Sequence, residues 1–208
     1  MKFKFFSFLV VLFFYYSTAV YAQLGIKAGV NLASENKSLN PSEIVARVNA
    51  SNLTGYQIGL VYQAMPKKSG VGVEIGALLS QKGSTIDSTN LDYSVKQGYR
   101  ELNYIEVPLN LRYRLTLGFI GIYGFGGVYG AYQLSGKIVD EITGITLNET
   151  FTDFMSHVDY GYNFGAGLEL FRKIQLGATW SQGIKNISLA GFAPTTNRVL
   201  SVNLVYLF

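Results

Sequence analysis

Apolar residues alternate with polar or small residues through most of the chain after its first two dozen positions. Around Glu74, for instance, Val71, Val73 and Ile75 alternate with Gly72 and Glu74 itself. A period of two places successive side chains on opposite faces of a β-strand, and no convincing amphipathic helix competes with it. The pattern predicts eight strands of about ten residues each, within residues 23–33, 55–64, 71–83, 104–114, 119–134, 159–170, 174–183 and 198–208.

The connections between these segments alternate between long and short. In an up-and-down antiparallel sheet, alternate connections lie at opposite ends, so one end should carry long loops and the other tight turns. Strands of about ten residues cross a bilayer when they are tilted, and this asymmetry is typical of outer-membrane barrels. The long connections, rich in Asn, Ser, Thr and charge, are residues 34–53, 84–98, 136–155 and 184–196, and the short ones are residues 64–70, 114–118 and 171–173.

Two other structures are compatible with parts of the pattern. Residues 115–136 carry no charge and could span a membrane as a helix, but they include seven glycines, each of which costs about 1 kcal/mol relative to alanine in a helix. A soluble barrel would turn the same apolar face inward. The opposite face is mostly Gly, Asn, Gln and Ser, which is sparse in charge for a water-facing surface. The sequence therefore favours an all-β, eight-stranded antiparallel up-and-down transmembrane β-barrel.

The face opposite the apolar one carries the charged residues of the strands. In a bilayer every backbone polar group needs an internal partner, so the sheet must close on itself, and eight strands leave an interior that side chains just fill. Opposite charges in that lumen should pair. We expect a charge network that blocks the lumen, although some of its members could instead be solvated near a barrel end; its members are Lys27, Glu74, Glu106, Arg112 and Glu169.

The first 22 residues have the pattern of a secretory signal peptide. Lys2 and Lys4 precede an apolar run, and Val20 and Ala22 occupy the −3 and −1 positions of a cleavage site. The alternative is an uncleaved membrane anchor. Cleavage would leave one barrel domain at residues 23–208, with two fewer lysines than the whole chain, whose net charge is +4. That small charge, with no basic cluster, predicts no nucleic-acid partner.

Candidate chemistry is sparse. The chain has no cysteine and one histidine, His157, which follows Ser156 and lies near Asp153 and Asp159. A hydrolase could use such residues, but Ser156 and His157 are neighbours on opposite faces of a strand and form a poor nucleophile–base pair. The scattered acids show no metal-ligand spacing. We therefore expect no catalytic residue, no metal site and no cofactor.

Several motifs resemble those of the small eight-stranded outer-membrane β-barrel proteins often labelled "porin family". The similar stretches lie in residues 25–31, 70–83, 102–113, 160–170 and 180–188, and the most specific is Tyr104–x–Glu106–x–Pro108. The resemblance covers nearly all of residues 23–208 and implies a fold rather than a reaction. The aromatic ending, with Tyr206 and Phe208, resembles the signal read by the outer-membrane barrel-assembly machinery.

These observations predict an exported protein of the bacterial outer membrane. Its expected role is structural or surface-binding, with a side-chain-filled lumen. A narrow channel for ions or small solutes is the alternative, and a lipid-modifying enzyme is a third possibility. The expected partners are outer-membrane lipids, the assembly machinery during biogenesis and an extracellular ligand held by the four long loops, and the barrel is expected to be a monomer.

Overall fold

Nine β-strands make up the fold, which a computed structural model describes over residues 20–37, 49–67, 69–87, 97–140, 146–148, 156–187 and 195–208. Eight of them form the barrel wall, and the three-residue strand β6 pairs only with β5. The strands are β1 (Val20–Lys37), β2 (Asn49–Pro66), β3 (Gly70–Asp87), β4 (Gln97–Leu117), β5 (Ile120–Asp140), β6 (Thr146–Asn148), β7 (Val158–Leu170), β8 (Ile174–Gly183) and β9 (Thr195–Leu207).

The sheet closes because β9 pairs with β1, and every pairing is antiparallel. This confirms the predicted eight-stranded up-and-down barrel. The short connections from β2 to β3, from β4 to β5 and from β7 to β8 lie at one end, which we call the turn end. The opposite end, where β1 connects to β2, β3 to β4, β5 to β7 and β8 to β9, is the loop end.

The register of the strands fixes the shape of the barrel. Following paired residues once around the wall from Leu24 leads back to β1 at Ser34, ten residues further along. The intermediate steps are Tyr62, Ile75, Leu109, Val128, Tyr162, Gln182 and Arg198. This stagger tilts the strands by about 35–45° from the barrel axis and leaves an interior that side chains can fill.

The apolar face of the wall points outward. Leu60, Leu109 and Val202 are each at least half exposed, whereas Gln63, Asn110 and Asn203 on the opposite face are buried. The soluble-barrel alternative, which needs the apolar face inside, is therefore wrong. Residues 115–136 form the β4–β5 hairpin rather than a helix. In the described part of the chain, no helix is long and apolar enough to cross a bilayer.

The strands β1 to β5 are longer than predicted. They contain 18 to 21 residues and extend into segments predicted as loops, up to Lys37, Asp87 and Asp140. Beyond the apolar belt polar and apolar residues are mixed on the two faces, so the alternation that identifies a strand is lost while backbone pairing continues. Strands β7 to β9, with 10 to 13 residues, have nearly the predicted length.

The predicted signal peptide lies largely outside the described residues, which begin at Val20. Residues 20–22 continue β1 and pair with residues 64–66 of β2. The cleavage site after Ala22 stays a prediction, as does the domain boundary at residue 23.

Aromatic side chains occupy the outer surface at both ends of the belt. Tyr62, Tyr113 and Tyr206 are exposed towards the turn end, and Tyr56 and Tyr160 are exposed towards the loop end. This is the arrangement that amphipathic rings adopt at the two membrane–water interfaces. The single tryptophan, Trp180, lies 5.0 Å from the ring of Phe164 and 5.9 Å from that of Tyr162 (centroid distances).

Glycines on the lumen side make room for two inward-pointing rings of β5. A methyl group at Gly165 would lie 2.6 Å from Phe125 Cζ, and one at Gly177 would overlap the hydroxyl oxygen of Tyr123. The sequence left the phase of β5 ambiguous. The structure shows that Tyr123 points inward, opposite the small residues of β7 and β8.

The Gly177→Ala substitution should lower the free energy of unfolding by about 1–3 kcal/mol, the usual cost of overpacking, and Tyr123→Phe should relieve most of that cost. Without the hydroxyl, the nearest atoms to the new methyl group are Ala166 O at 3.0 Å and the ring Cζ at 3.3 Å. Urea unfolding in phospholipid vesicles measures both effects. Gly130→Ala is the control, because nothing lies within 4 Å of its added methyl group. An equal cost of Gly177→Ala in both backgrounds would contradict this account.

Candidate functional site in the barrel lumen

A polar network centred on Glu74 crosses the lumen near the turn end. Arg112 Nη1 lies 2.5 Å from Glu74 Oε2, and Gln63 Nε2 donates to the same oxygen at 2.6 Å. Asn110 Nδ2 donates to Glu74 Oε1 at 3.1 Å. The guanidinium of Arg112 also lies 3.9 Å from the centre of the Tyr123 ring. Both oxygens of the buried carboxylate are thus bonded, as a buried charge requires.

The same network continues to a second ion pair. Arg114 Nη1 donates to Glu169 Oε1 at 2.8 Å, and Gln175 Nε2 donates to Glu169 Oε2 at 2.7 Å. Gln175 also exchanges hydrogen bonds of 3.0 Å with Gln63 and accepts one of 3.2 Å from Arg112. We call this connected group the turn-end network; it consists of Gln63, Glu74, Asn110, Arg112, Arg114, Glu169 and Gln175.

A second group of charges, the loop-end network, surrounds Lys82. Its Nζ lies 2.7 Å from Glu106 Oε2 and 3.4 Å from Asp159 Oδ2. Asp159 Oδ2 also accepts from Tyr129 Oη at 3.2 Å and Asn197 Nδ2 at 3.0 Å. Lys82 Nζ lies 4.3 Å from the centre of the Tyr129 ring, a cation–π distance. One cation therefore holds two buried carboxylates together across the lumen.

An apolar cluster around Ile187, which we call the Ile187 plug, lies inside the barrel beside the loop-end network. The side chain of Ile187 is fully buried among Leu102, Tyr104, Tyr129 and Ala131. The segment is held in place by backbone bonds, from Ser156 N to Ile187 O at 2.8 Å and from Ile187 N to Thr195 O at 2.9 Å. The plug thus adjoins the charged layer through Tyr104 and Tyr129, whose ring centres lie 5.1 Å and 4.3 Å from Lys82 Nζ.

A small cavity lies between the two networks. Its lining includes Lys27, Ser80, Asn163, Thr179 and the ring of Phe125, and it has room for about one water molecule. Lys27 is buried there. Among the described residues no carboxylate forms an ion pair with it, because the nearest ones, of Glu74 and Glu106, are bonded by Arg112 and Lys82.

All five charged residues predicted for the lumen are buried inside the barrel. The structure brings Arg112 to Glu74, but it pairs Glu106 with Lys82, pairs Glu169 with Arg114 and leaves Lys27 apart. Sequence reasoning missed Lys82 and Arg114 because it placed both at strand ends. Lys82 lies two residues after the inward-facing Ser80, and Arg114 lies two residues after the inward-facing Arg112. Extending the alternation of each strand by one more inward position would therefore have predicted both residues to lie in the lumen.

The residues weighed for catalysis are separated by the wall of the barrel. The ring of His157 stacks on Tyr132 with centroids 6.0 Å apart, and Ser156 Oγ donates to Val158 O at 3.2 Å. Asp159, in contrast, points into the lumen, where it bonds Lys82. Asp153 lies outside the described residues. Within the described ranges, no group of three or more His, Asp or Glu side chains is placed to hold a metal ion.

The aromatic ending lies at the turn end of the seam between β9 and β1. Phe208 N donates to Leu24 O at 2.9 Å. The exposed rings of Tyr206 and Phe208 are in edge-to-face contact, with centroids 5.7 Å apart. Both rings therefore face outward from the strand that closes the barrel.

The chain is similar in fold to known outer-membrane barrels. OprG from Pseudomonas aeruginosa superposes with a TM-score of 0.51 at 14% identity, covering 91% of this chain and 97% of that one. Neisserial surface protein A gives a TM-score of 0.50 at 10% identity, covering 90% and 99%. At identities this low, the superpositions show a shared fold and nothing about a shared role. No curated protein matches the chain in sequence. A family model described as outer membrane protein beta-barrel domain matches residues 17–189, and the chain therefore belongs to that family of outer-membrane barrels.

Proposed function

We propose that this protein is a non-conducting barrel whose role is structural or surface-binding. The observation that carries the proposal is the filling of the lumen at two levels, by the turn-end network and by the loop-end network beside the Ile187 plug. The cavity that lies between them has room for about one water molecule. A solute could pass only if several buried ion pairs opened together, and separating one buried partner typically costs 3–5 kcal/mol.

The proposed placement has both chain termini and the turns on the periplasmic side and the long connections at the cell surface. Export would use residues 1–22 as a cleavable leader, and the folded barrel would act as a monomer in contact with outer-membrane lipids. The bond between Phe208 and Leu24 supports this arrangement, because it puts both ends of the barrel domain at the turn end. An extracellular ligand would be bound by the connections at the loop end.

The proposed role involves no catalysis. Glu74, Glu106, Asp159 and Glu169 are each bonded to a cation inside the lumen, where a membrane lipid cannot reach them. Mass spectrometry of lipid A from cells that express the protein tests this part of the proposal. A new lipid A mass that depends on His157 would instead support an enzyme.

Conductance in planar bilayers tests the filled lumen. We expect the purified protein to give no stable current steps in 1 M KCl, because both networks and the Ile187 plug close the path. Heat-dependent gel mobility shows that the sample is folded, and an open porin in the same membrane shows that steps can be recorded. Large, stable steps from the folded protein would overturn the proposal and favour the alternative, a narrow channel for ions or small solutes.

A further inference from the structure

Two neighbouring turns at the turn end form an exposed aromatic pair. Phe119, in the β4–β5 turn, and Phe171, in the β7–β8 turn, stack with ring centroids 5.6 Å apart. Phe171 N donates to Phe119 O at 2.8 Å, which ties the turns together. The side chains are 61% and 66% exposed. They are thus a fixed apolar surface at the rim of the barrel.

The second of these turns is strained. Phe171 and Arg172 have φ angles of 53° and 59°, and Lys173 N donates to Leu170 O at 3.0 Å, which makes a β-turn over residues 170–173 with the positive φ angles of type I′. Asn-Gly is the usual pair in that turn, since both central residues need positive φ. Such strain persists mainly where it serves a function. Here it places a phenylalanine and an arginine together at the tip.

The exposed charges around this rim are positive. Lys67, Arg172 and Lys173 are exposed at the turn end, whereas every acidic side chain of the described strands lies in the lumen or towards the loop end. Hydrogen bonds to the carbonyl oxygens of Arg172 and Lys173 hold their turn in place: the Gln23 side chain donates from Nε2 to Arg172 O at 3.4 Å, and Leu207 N donates to Lys173 O at 2.7 Å.

We propose that this rim binds the headgroup of an anionic phospholipid from the adjacent leaflet. The aromatic pair continues the lipid-facing surface of Leu170, Ile174 and Tyr206, so the rings lie at the depth of the membrane interface. Arg172 and Lys173 follow Phe171 in the same turn and are exposed, so they can reach the phosphates at that interface. A guanidinium binds phosphate oxygens in a two-pronged geometry, and basic residues at a membrane surface attract anionic lipids.

Native mass spectrometry with competing lipids tests this assignment. The folded protein in neutral detergent is given equal amounts of phosphatidylglycerol and phosphatidylcholine with the same acyl chains. We expect the bound lipid to be mostly phosphatidylglycerol. Arg172→Gln with Lys173→Gln should reduce that preference by about fivefold for each cation removed. Phe171→Asn with Arg172→Gly, which suits a type I′ turn, should keep the barrel folded and weaken the preference as well.

The control removes two cations from the opposite rim. Lys185→Gln with Arg198→Gln makes the same change in net charge at the loop end and should leave the preference intact. Equal binding of both lipids by the natural protein would overturn the proposal, as would an equal loss in the control. Inorganic phosphate at 10 mM should not displace the lipid, because the aromatic pair contacts the lipid's apolar part. Full displacement would point to a free-phosphate site instead and would overturn the phospholipid assignment.

Discussion

Replacing Lys82 by methionine is expected to lower the free energy of unfolding by about 3–5 kcal/mol, the usual cost of removing one partner from a buried ion pair. The substitution leaves Glu106 and Asp159 facing each other without their shared cation. Methionine has nearly the same side-chain volume as lysine, so the loss of stability reflects the missing charge rather than poorer packing. Urea titration in phospholipid vesicles, followed by the emission of Trp180, measures it.

A second lysine provides the matched control for this experiment. Lys137 also pairs with a carboxylate, Glu101, at 2.9 Å, but its side chain is 40% exposed. Exposed pairs contribute about 0–1 kcal/mol, so Lys137→Met should have a small effect. Adding Glu106→Gln and Asp159→Asn to Lys82→Met should recover part of the stability, since no uncompensated charge remains. Equal effects of Lys82→Met and Lys137→Met would contradict the importance of the loop-end network.

Deleting Phe208 is expected to reduce the amount of folded protein in the outer membrane several-fold without affecting export. The deletion removes the exposed terminal ring and the backbone bond from Phe208 to Leu24 at the seam where the barrel closes. Both would act in assembly, after the chain has crossed the inner membrane. Quantitative immunoblotting of the heat-shifted, folded band in outer-membrane fractions measures the effect, and removal of residues 1–22 reports export.

Two substitutions distinguish the effect of losing the aromatic ring from the effect of losing the last residue. Phe208→Tyr keeps both the aromatic side chain and the bond to Leu24, and it should assemble at normal levels. Phe208→Ala keeps the bond and loses the ring, so its level shows how much of the effect belongs to recognition of the aromatic residue. Normal outer-membrane levels of the deletion variant would refute the assembly role of Phe208.

The fold was predictable because each strand carries its orientation in its own sequence. Ile75 and Leu109 are lipid-facing and Glu74 and Asn110 are inside because odd and even positions point to opposite faces. The ends of the strands were less predictable. Above the belt, segments such as residues 84–87 and 97–103 no longer alternate apolar with polar residues, so hydropathy does not separate a strand from a loop there.

The pairing of charges in the lumen depends on a property that no single strand encodes. Lys82 on β3 meets Asp159 on β7, three strands away around the wall, and that meeting is set by the stagger of the closed sheet. Sequence alternation shows that both side chains point inward, but it does not give their positions along the barrel axis or around the wall. The same limit explains why Lys27, inward as predicted, ends beside a cavity rather than a carboxylate.

The β4–β5 turn and the β7–β8 turn, which stack through Phe119 and Phe171, also differ in how strongly their own sequences favour a hairpin. The β4–β5 turn has Gly118 at a φ of 66° in its first central position, as a type II′ turn requires, and it joins two strands of 21 residues. The Phe171–Arg172 turn is unfavourable in isolation, and the strands that it joins are short. Local contacts therefore favour the β4–β5 hairpin, whereas the pairing of β7 with β8 depends more on the neighbouring strands β5 and β9.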